Sequence, residues 1–243
     1  MEIIEQPEFD HRDRTDIYEY VESHGATEPE TVRRRLEMEP RAFGHHVAIL
    51  ERDRVLDERD GRLRIAFEGG AEEEFEADDI EFTIRQAREE DLTGLVGAIR
   101  EAIGSGEHVQ AESVADIVDS EGVLLRHNDI ESRMFFVATV NDEVVGWVHL
   151  KHRELEKLSH TAELTLGVLE RYQEHGIGSH LLERGMEWAQ SQGFEKIYNS
   201  IPSSNERAMD FFASRGFEVE ATREDHYKLD GEYIDEVMMA RKL

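Results

Sequence analysis

Cysteine is absent from this chain, which excludes disulfides, cysteine-ligated zinc and a thiol nucleophile. Lysine is nearly as scarce. Five lysines stand beside 23 arginines, and 56 acidic residues face these 28 basic ones, for a net charge of −28. That balance resembles the proteins of salt-in halophiles, in which concentrated salt screens self-repulsion. No apolar run approaches the ~20 residues that a membrane helix needs. The opening Met1-Glu2-Ile3-Ile4-Glu5 does not read as a signal peptide, so a cytoplasmic protein with no membrane partner is expected. Of only four prolines, Pro29 and Pro40 stand where helices are expected to begin. Apolar residues are not lacking: 39% of the 243 residues are hydrophobic and recur at structured periods. Disorder is therefore excluded, and the length suits one large domain or two smaller ones.

The stretch around which the rest is organised is Gln173-Glu174-His175-Gly176-Ile177-Gly178. Before it, Leu164, Leu166 and Val168 alternate as a strand over 161–168. After it, Ile177, Leu181, Gly185 and Trp188 recur at helical spacing through 179–190. A turn with two glycines thus opens into a helix N-terminus, where unpaired N–H groups and aligned peptide dipoles favour an anion. The spacing fits neither G-x-x-x-x-G-K-[ST] nor G-x-G-x-x-G. It fits [QR]-x-x-G-x-G.

Flanking elements follow in order. Ile80, Phe82 and Ile84 form a strand, then helices are expected after Glu89-Glu90-Asp91 and over 113–125. Strands over 134–140 and 144–150 join across Asn141-Asp142-Glu143. Beyond the central helix come a strand over 196–201, a helix over 205–215 with Asn205 as N-cap, and strands over 217–221 and 232–240. Asn205-Glu206-Arg207-Ala208, with Phe211-Phe212 and Gly216-Phe217, has the form N-x-x-A…GF, and Gly231 to Met238 has the form G-x-Y-x-D…M.

These three motifs, in this element order, resemble the GNAT superfamily of N-acetyltransferases across residues 80–243. The resemblance implies an α/β fold with a mixed, mostly antiparallel, seven-stranded sheet flanked by helices. It also implies acetyl-CoA as cosubstrate and a primary amine, of a small molecule or a protein, as acceptor. Leu166, Gly167 and Val168 would pair with the pantetheine arm and the acetyl carbonyl. Gln173, Glu174, His175, Gly176, Ile177, Gly178 and Ser179 would hold the pyrophosphate, and Asn205 would lie beside the pantetheine. Glu163 is the expected base, with His149 and His160 as alternatives; no metal is expected. Where most members have a tyrosine that protonates the leaving thiolate, this chain has Phe212, so water or another residue, Tyr227 or Tyr198, would have to serve.

Residues 1–67 carry a pattern of their own: helices over 15–23, from a Thr27-Glu28-Pro29-Glu30 capping box to about Met38, and after Pro40, then a hairpin turning at Asp60-Gly61. Three helices and a hairpin resemble a winged helix-turn-helix. Arg41, His45, His46 and Arg52 would then face a groove, with Arg62 and Arg64 on the wing. DNA is one expected partner of that module, although 11 basic against 24 acidic residues in 1–80 oppose it. Protein contact or homodimerisation is the other. Residues 68–79, acidic and glycine-rich, read as a linker. A regulator that senses acetyl-CoA through the larger domain is the alternative to an enzyme.

Overall fold

The computed structural model describes residues 9–53, 55–59, 61–66, 72–77, 80–103, 109–127, 131–153, 155–229 and 231–243. Its first unit comprises α1 (Arg12–His24), α2 (Pro29–Arg35), α3 (Pro40–Arg52) and a hairpin of β1 (Leu56–Arg59) and β2 (Arg62–Ile65). Gly25, at φ 68°, stops α1 in a conformation that glycine adopts without strain. Ile17, Val21, Val32, Phe43, Leu50, Leu56 and Leu63 close a separate apolar core. Burying each such side chain contributes about 1.5–3 kcal/mol before entropy is charged. The expected capping box does not form: Glu28 is the N-cap of α2 and makes no side-chain cap. Thr27 is drawn instead into a backbone bridge with Leu63 of the hairpin, a long-range pairing that local spacing cannot reveal.

The second unit is built on a sheet of nine strands among the described residues. These are β3 (Glu73–Ala77), β4 (Ile80–Gln86), β5 (Arg126–His127), β6 (Glu131–Val140), β7 (Glu143–Arg153), β8 (Thr161–Val168), β9 (Lys196–Pro202), β10 (Glu218–Leu229) and β11 (Glu232–Lys242). Eight run in the order β10-β11-β9-β8-β7-β6-β4-β3, and β5 pairs with β6 off that path. The expected seven strands are thus too few. Every pairing is antiparallel except β8 with β9. Helices α4 (Leu92–Ile103), α5 (Val109–Glu121), α6 (Ile177–Ser191) and α7 (Glu206–Ala213) complete the unit.

The linker expected over 68–79 is corrected by β3, which pairs in antiparallel register with β4 at the sheet edge; residues 68–71 and 78–79 of that segment lie outside the described residues. Acidic composition hid the strand because its charges find partners. Phe75, its one large apolar side chain, stacks on Phe82 at 5.3 Å and lies 4.0 Å from the His180 ring. Glu73 lies 3.2 Å from Arg184, and Glu72 bonds Arg88.

Strands β6 and β7 are buried on both faces: Met134 through Ala138 and Val145, Trp147 and Val148 are inaccessible. That explains their continuous apolar runs. Val148 and Leu150 face Gly185 of α6, so Trp147, His149 and Lys151 point to the opposite side, where α4 and α5 pack. Their partners on β8 are Gly167, Thr165 and Glu163. The Glu163 carboxylate is thereby set on the strand that leads into the glycine turn. The two units meet where Arg126 of β5 approaches the buried Glu22 of α1, at 3.6 Å.

Candidate active site

Strand β8 has two unlike edges. Toward β7 it is paired from Glu163 to Val168. Toward β9 it is paired only at Thr161, Ala162 and Glu163, with Lys196, Ile197 and Tyr198. Beyond Glu163 the strands part. The outer edge of Leu166–Val168 therefore presents backbone donors and acceptors that no protein strand occupies, and an extended ligand can add there as a strand would. Asn199, one residue past the last pair on β9, is buried with Oδ1 unpartnered.

The gap continues into a groove of about 760 Å³. Leu166, Gly167, Val168, Gln173, Glu174, Gly176, Gly178, Ser179 and Asn205 line it. Ile177 and His175 do not: Ile177 is buried under the helix start, where it anchors α6 to the core. Gly176 is the N-cap of α6 at φ 78°. Its carbonyl accepts from Ser179 and His180 N–H, so the N–H groups of Ile177 and Gly178 precede the helical ladder. Gln173 Nε2 donates to Val168 O at 2.8 Å, which ties the turn to the end of β8.

Spacing alone did not single out the two guanidinium groups at this groove. Arg207, on α7, reaches Glu174 at 3.2 Å. Arg215 bonds Ser179 Oγ, donates to Phe211 O at 3.0 Å and lies 3.8 Å above the Phe211 ring. In a chain of net charge −28, two arginines beside a helix N-terminus form a local anion site. Asn205 caps α7, with Oδ1 accepting from Ala208 N–H at 3.0 Å. Phe212 is buried edge-on against Phe211 and Phe217.

Glu163 does not line the groove. It projects from the other face of β8, between Lys151 and Tyr198 in register. Burial raises its carboxyl above the ordinary range, against the pull of Lys151 and Arg153 and with some help from Glu236. Nearby, Tyr227 donates to Glu236 Oε1 at 3.0 Å, and burial pushes its hydroxyl up to about 12. Tyr198 is also raised, first by burial and then by Glu163. Both hydroxyls hold their protons. Glu236, almost wholly buried, meets Arg223 at 2.9 Å and was not foreseen. Asp235 of the G-x-Y-x-D motif accepts from Asp225 N–H at 2.9 Å and fastens the β10 bulge.

Of the alternative bases, His149 is buried against Phe135, its Nδ1 3.2 Å from Thr165 Oγ1. Burial drives its pKa well below the usual histidine value. His160 is exposed in the turn before β8. In the first unit, the expected groove-facing set is corrected at His46, which is buried with Nε2 3.4 Å from Asp13, whereas Arg41, His45 and Arg52 are exposed. His46 belongs to the apolar stripe of α3, three residues from Phe43. Among the described residues no helix is long and apolar enough to cross a membrane.

A parted parallel strand pair, a glycine turn at a helix N-terminus and flanking arginines define a class: proteins that bind a long, phosphorylated cofactor in extended form. Similarity to known proteins makes this particular. The model of the acetyltransferase (GNAT) family matches residues 107–217. An N-alpha-acetyltransferase of Sulfurisphaera tokodaii is 36% identical over 121 residues, 45% of this chain and 69% of that protein. N-alpha-acetyltransferase 50 of Danio rerio is 33% identical over 93 residues, 38% of this chain and 55% of its own length. The chain thus spans about half the length of this and a Drosophila melanogaster relative. A Salmonella typhimurium acetyltransferase structure, described with its cofactor acetyl-CoA, shares the fold. Its TM-score is 0.54 at 20% identity, over 67% of this chain and 94% of that one. This chain belongs to the GNAT acetyltransferase family, whose cosubstrate is acetyl-CoA.

Proposed function

We propose that this protein is an N-acetyltransferase that moves the acetyl group of acetyl-CoA to the primary amine of a small molecule or a protein. The observation that carries the reading is the parting of β8 from β9 after three pairs, beside the Gln173–Ser179 turn. In this reading Leu166–Val168 receive the pantetheine arm and align the acetyl carbonyl. The turn, Ser179, Arg207 and Arg215 receive phosphate, and Asn205 stands by the arm. Two relatives named N-alpha-acetyltransferases make α-amines of peptides the leading acceptors to try.

Glu163 takes the role of base. An ammonium ion has no lone pair, so a proton must leave the acceptor before nitrogen attacks the thioester carbon. One ammonium proton passes to the Glu163 carboxylate, directly or through water; the C–N bond then forms, the C–S bond breaks, and the second proton leaves nitrogen to solvent as the thiolate departs. A carboxyl raised by burial holds that proton better than an exposed one, which suits it to the task. Phe212 has no proton to give the thiolate. With a model thiol pKa near ~8.5, thiolate departure followed by protonation from water is tolerable. The first unit, read as a winged-helix-like module, is assigned to partner choice or dimerisation.

The test is thiol release from acetyl-CoA in molar KCl with peptides, amino acids and polyamines, for the native chain and Gly176→Arg. Gly176 sits at positive φ on the groove floor, so the arginine brings both strain and bulk into the phosphate turn. Turnover that disappears in the variant supports the reading. Absence of both turnover and acetyl-CoA binding in the native chain overturns it.

A further inference from the structure

Among the described residues, one group of side chains has the chemistry and spacing of a metal site, and it lies in the first unit, away from the acetyltransferase groove. His11, Asp13 and His46 place one potential ligand atom each within 4.8 Å of one another. The geometry points to a site for a first-row divalent cation such as zinc, bound by these two imidazoles and one carboxylate.

The spacings carry this. Metal–nitrogen and metal–oxygen bonds of about 2.0–2.2 Å at tetrahedral angles set ligand atoms about 3.3–3.5 Å apart. Asp13 Oδ2 is 3.4 Å from His46 Nε2 and 3.8 Å from His11 Nδ1. The two imidazole nitrogens lie within 4.8 Å of each other, and an inward movement of His11, the most exposed of the three, completes the set. The His11 and His46 rings already lie 4.5 Å apart.

The chemical state of each ligand also suits a cation. His11 Nδ1 accepts the Asp13 N–H at 3.2 Å as the N-cap of α1, so its lone pair is directed at that backbone group, with the Asp13 carboxylate 3.8 Å away. Metal binding exchanges that long bond for coordination without a change of tautomer. His46 is nine-tenths buried, and its place on α3 holds Nε2 3.4 Å from the Asp13 carboxylate. Arg14 and His45 also bear on His46; a ligand-bound cation must outweigh the repulsion of Arg14, and the Asp13 carboxylate supplies the opposing charge. Imidazole and carboxylate together select zinc-like ions over magnesium, which prefers oxygen alone. With Asp13 and His11 half-exposed, the fourth position is open to water. The bound ion would pin the start of α1 to α3 and brace the small core.

The experiment uses the full chain, stripped with chelator and kept in molar KCl with excess Mg²⁺ to occupy surface carboxylates. Zn²⁺ is titrated by calorimetry, Co²⁺ by visible absorption, and unfolding is followed with and without metal. Expected are one equivalent per chain, the absorption bands of tetrahedral Co²⁺, and a Tm rise of roughly 5 °C at saturation. His11→Asn and Asp13→Asn, at exposed positions where folding is preserved, should each weaken binding about 100-fold, the upper end of what losing even an outer-shell partner costs. The absence of saturable binding, or affinity unchanged in both variants, overturns the site. Neither outcome depends on acetyl transfer.

Discussion

At the scale of single residues, Glu163 and Glu236 differ in their partners. Glu236 is held by Arg223 and Tyr227. Glu163 has Lys151 and Arg153 nearby, yet burial dominates and its pKa stands above the ordinary carboxylate range. If it is the base, the acid limb of the kcat/KM profile falls at that raised value, because the base form is lost as pH drops through it. Glu163→Gln is expected to lower kcat about 10²–10³-fold and to remove that limb. The stability effect has the opposite sign. A raised folded-state pKa means that stability is present below the unfolded value and is lost as pH rises through the folded one. At neutral pH the neutral glutamine relieves that cost, so Tm in thermal unfolding should hold or rise slightly. A large fall in Tm would show a structural carboxylate instead. The place of Glu163 on β8 was legible from the alternation of that strand, whereas its role as base rests on the family resemblance. Arg215 was not legible: its approach to Ser179 depends on how α7 folds back on α6.

At the scale of elements, β8 serves the site by being paired on one edge and bare on the other. Gly167 lies at the bare stretch because its partner across the strand is Trp147, fully buried. A Cβ on Gly167 would stand 2.3 Å from Trp147 Cη2 and 2.5 Å from Cζ2. The ring is enclosed, so the strand has to give way. Gly167→Ala is expected to destabilise the fold by about 1–3 kcal/mol. Displacement of the strand should also raise the KM for acetyl-CoA; denaturant unfolding and steady-state kinetics report the two separately. The glycine turn and the start of α6 were readable because each rests on neighbours within a few residues. That Leu166–Val168 would be free to pair with a cofactor followed from the family resemblance alone, since the point where β9 leaves β8 is set by which strands pair across the sheet.

At the scale of the whole molecule, a net charge of −28 on 243 residues acts against compactness. Local pairings offset part of it: Arg85 holds Asp91 at 2.6 Å, Arg133 holds Glu121 at 2.6 Å, and Lys196 holds Glu220 at 2.6 Å. The rest is long-range repulsion, which salt screens as the Debye length contracts from about 10 Å at 0.1 M to 3 Å at 1 M. Tm measured by calorimetry should therefore rise by several degrees between dilute buffer and molar KCl. A Tm that stays level or falls would mean that self-repulsion is not what limits stability here.

By itself, the sequence determined what local chemistry determines: helix starts at Pro29 and Pro40, the Gly25 stop, the left-handed Gly176 and the Asn205 cap all follow from backbone sterics and short-range hydrogen bonds. The family resemblance of residues 80–243 rested on motifs within such segments. Only the tertiary structure decided that acidic Glu73–Ala77 joins the sheet, that β9 leaves β8 after three pairs, and that His46 turns inward to Asp13. Each of these depends on partners distant in the chain, where the free energy of a contact is set by what packs opposite and not by the residue's own propensity.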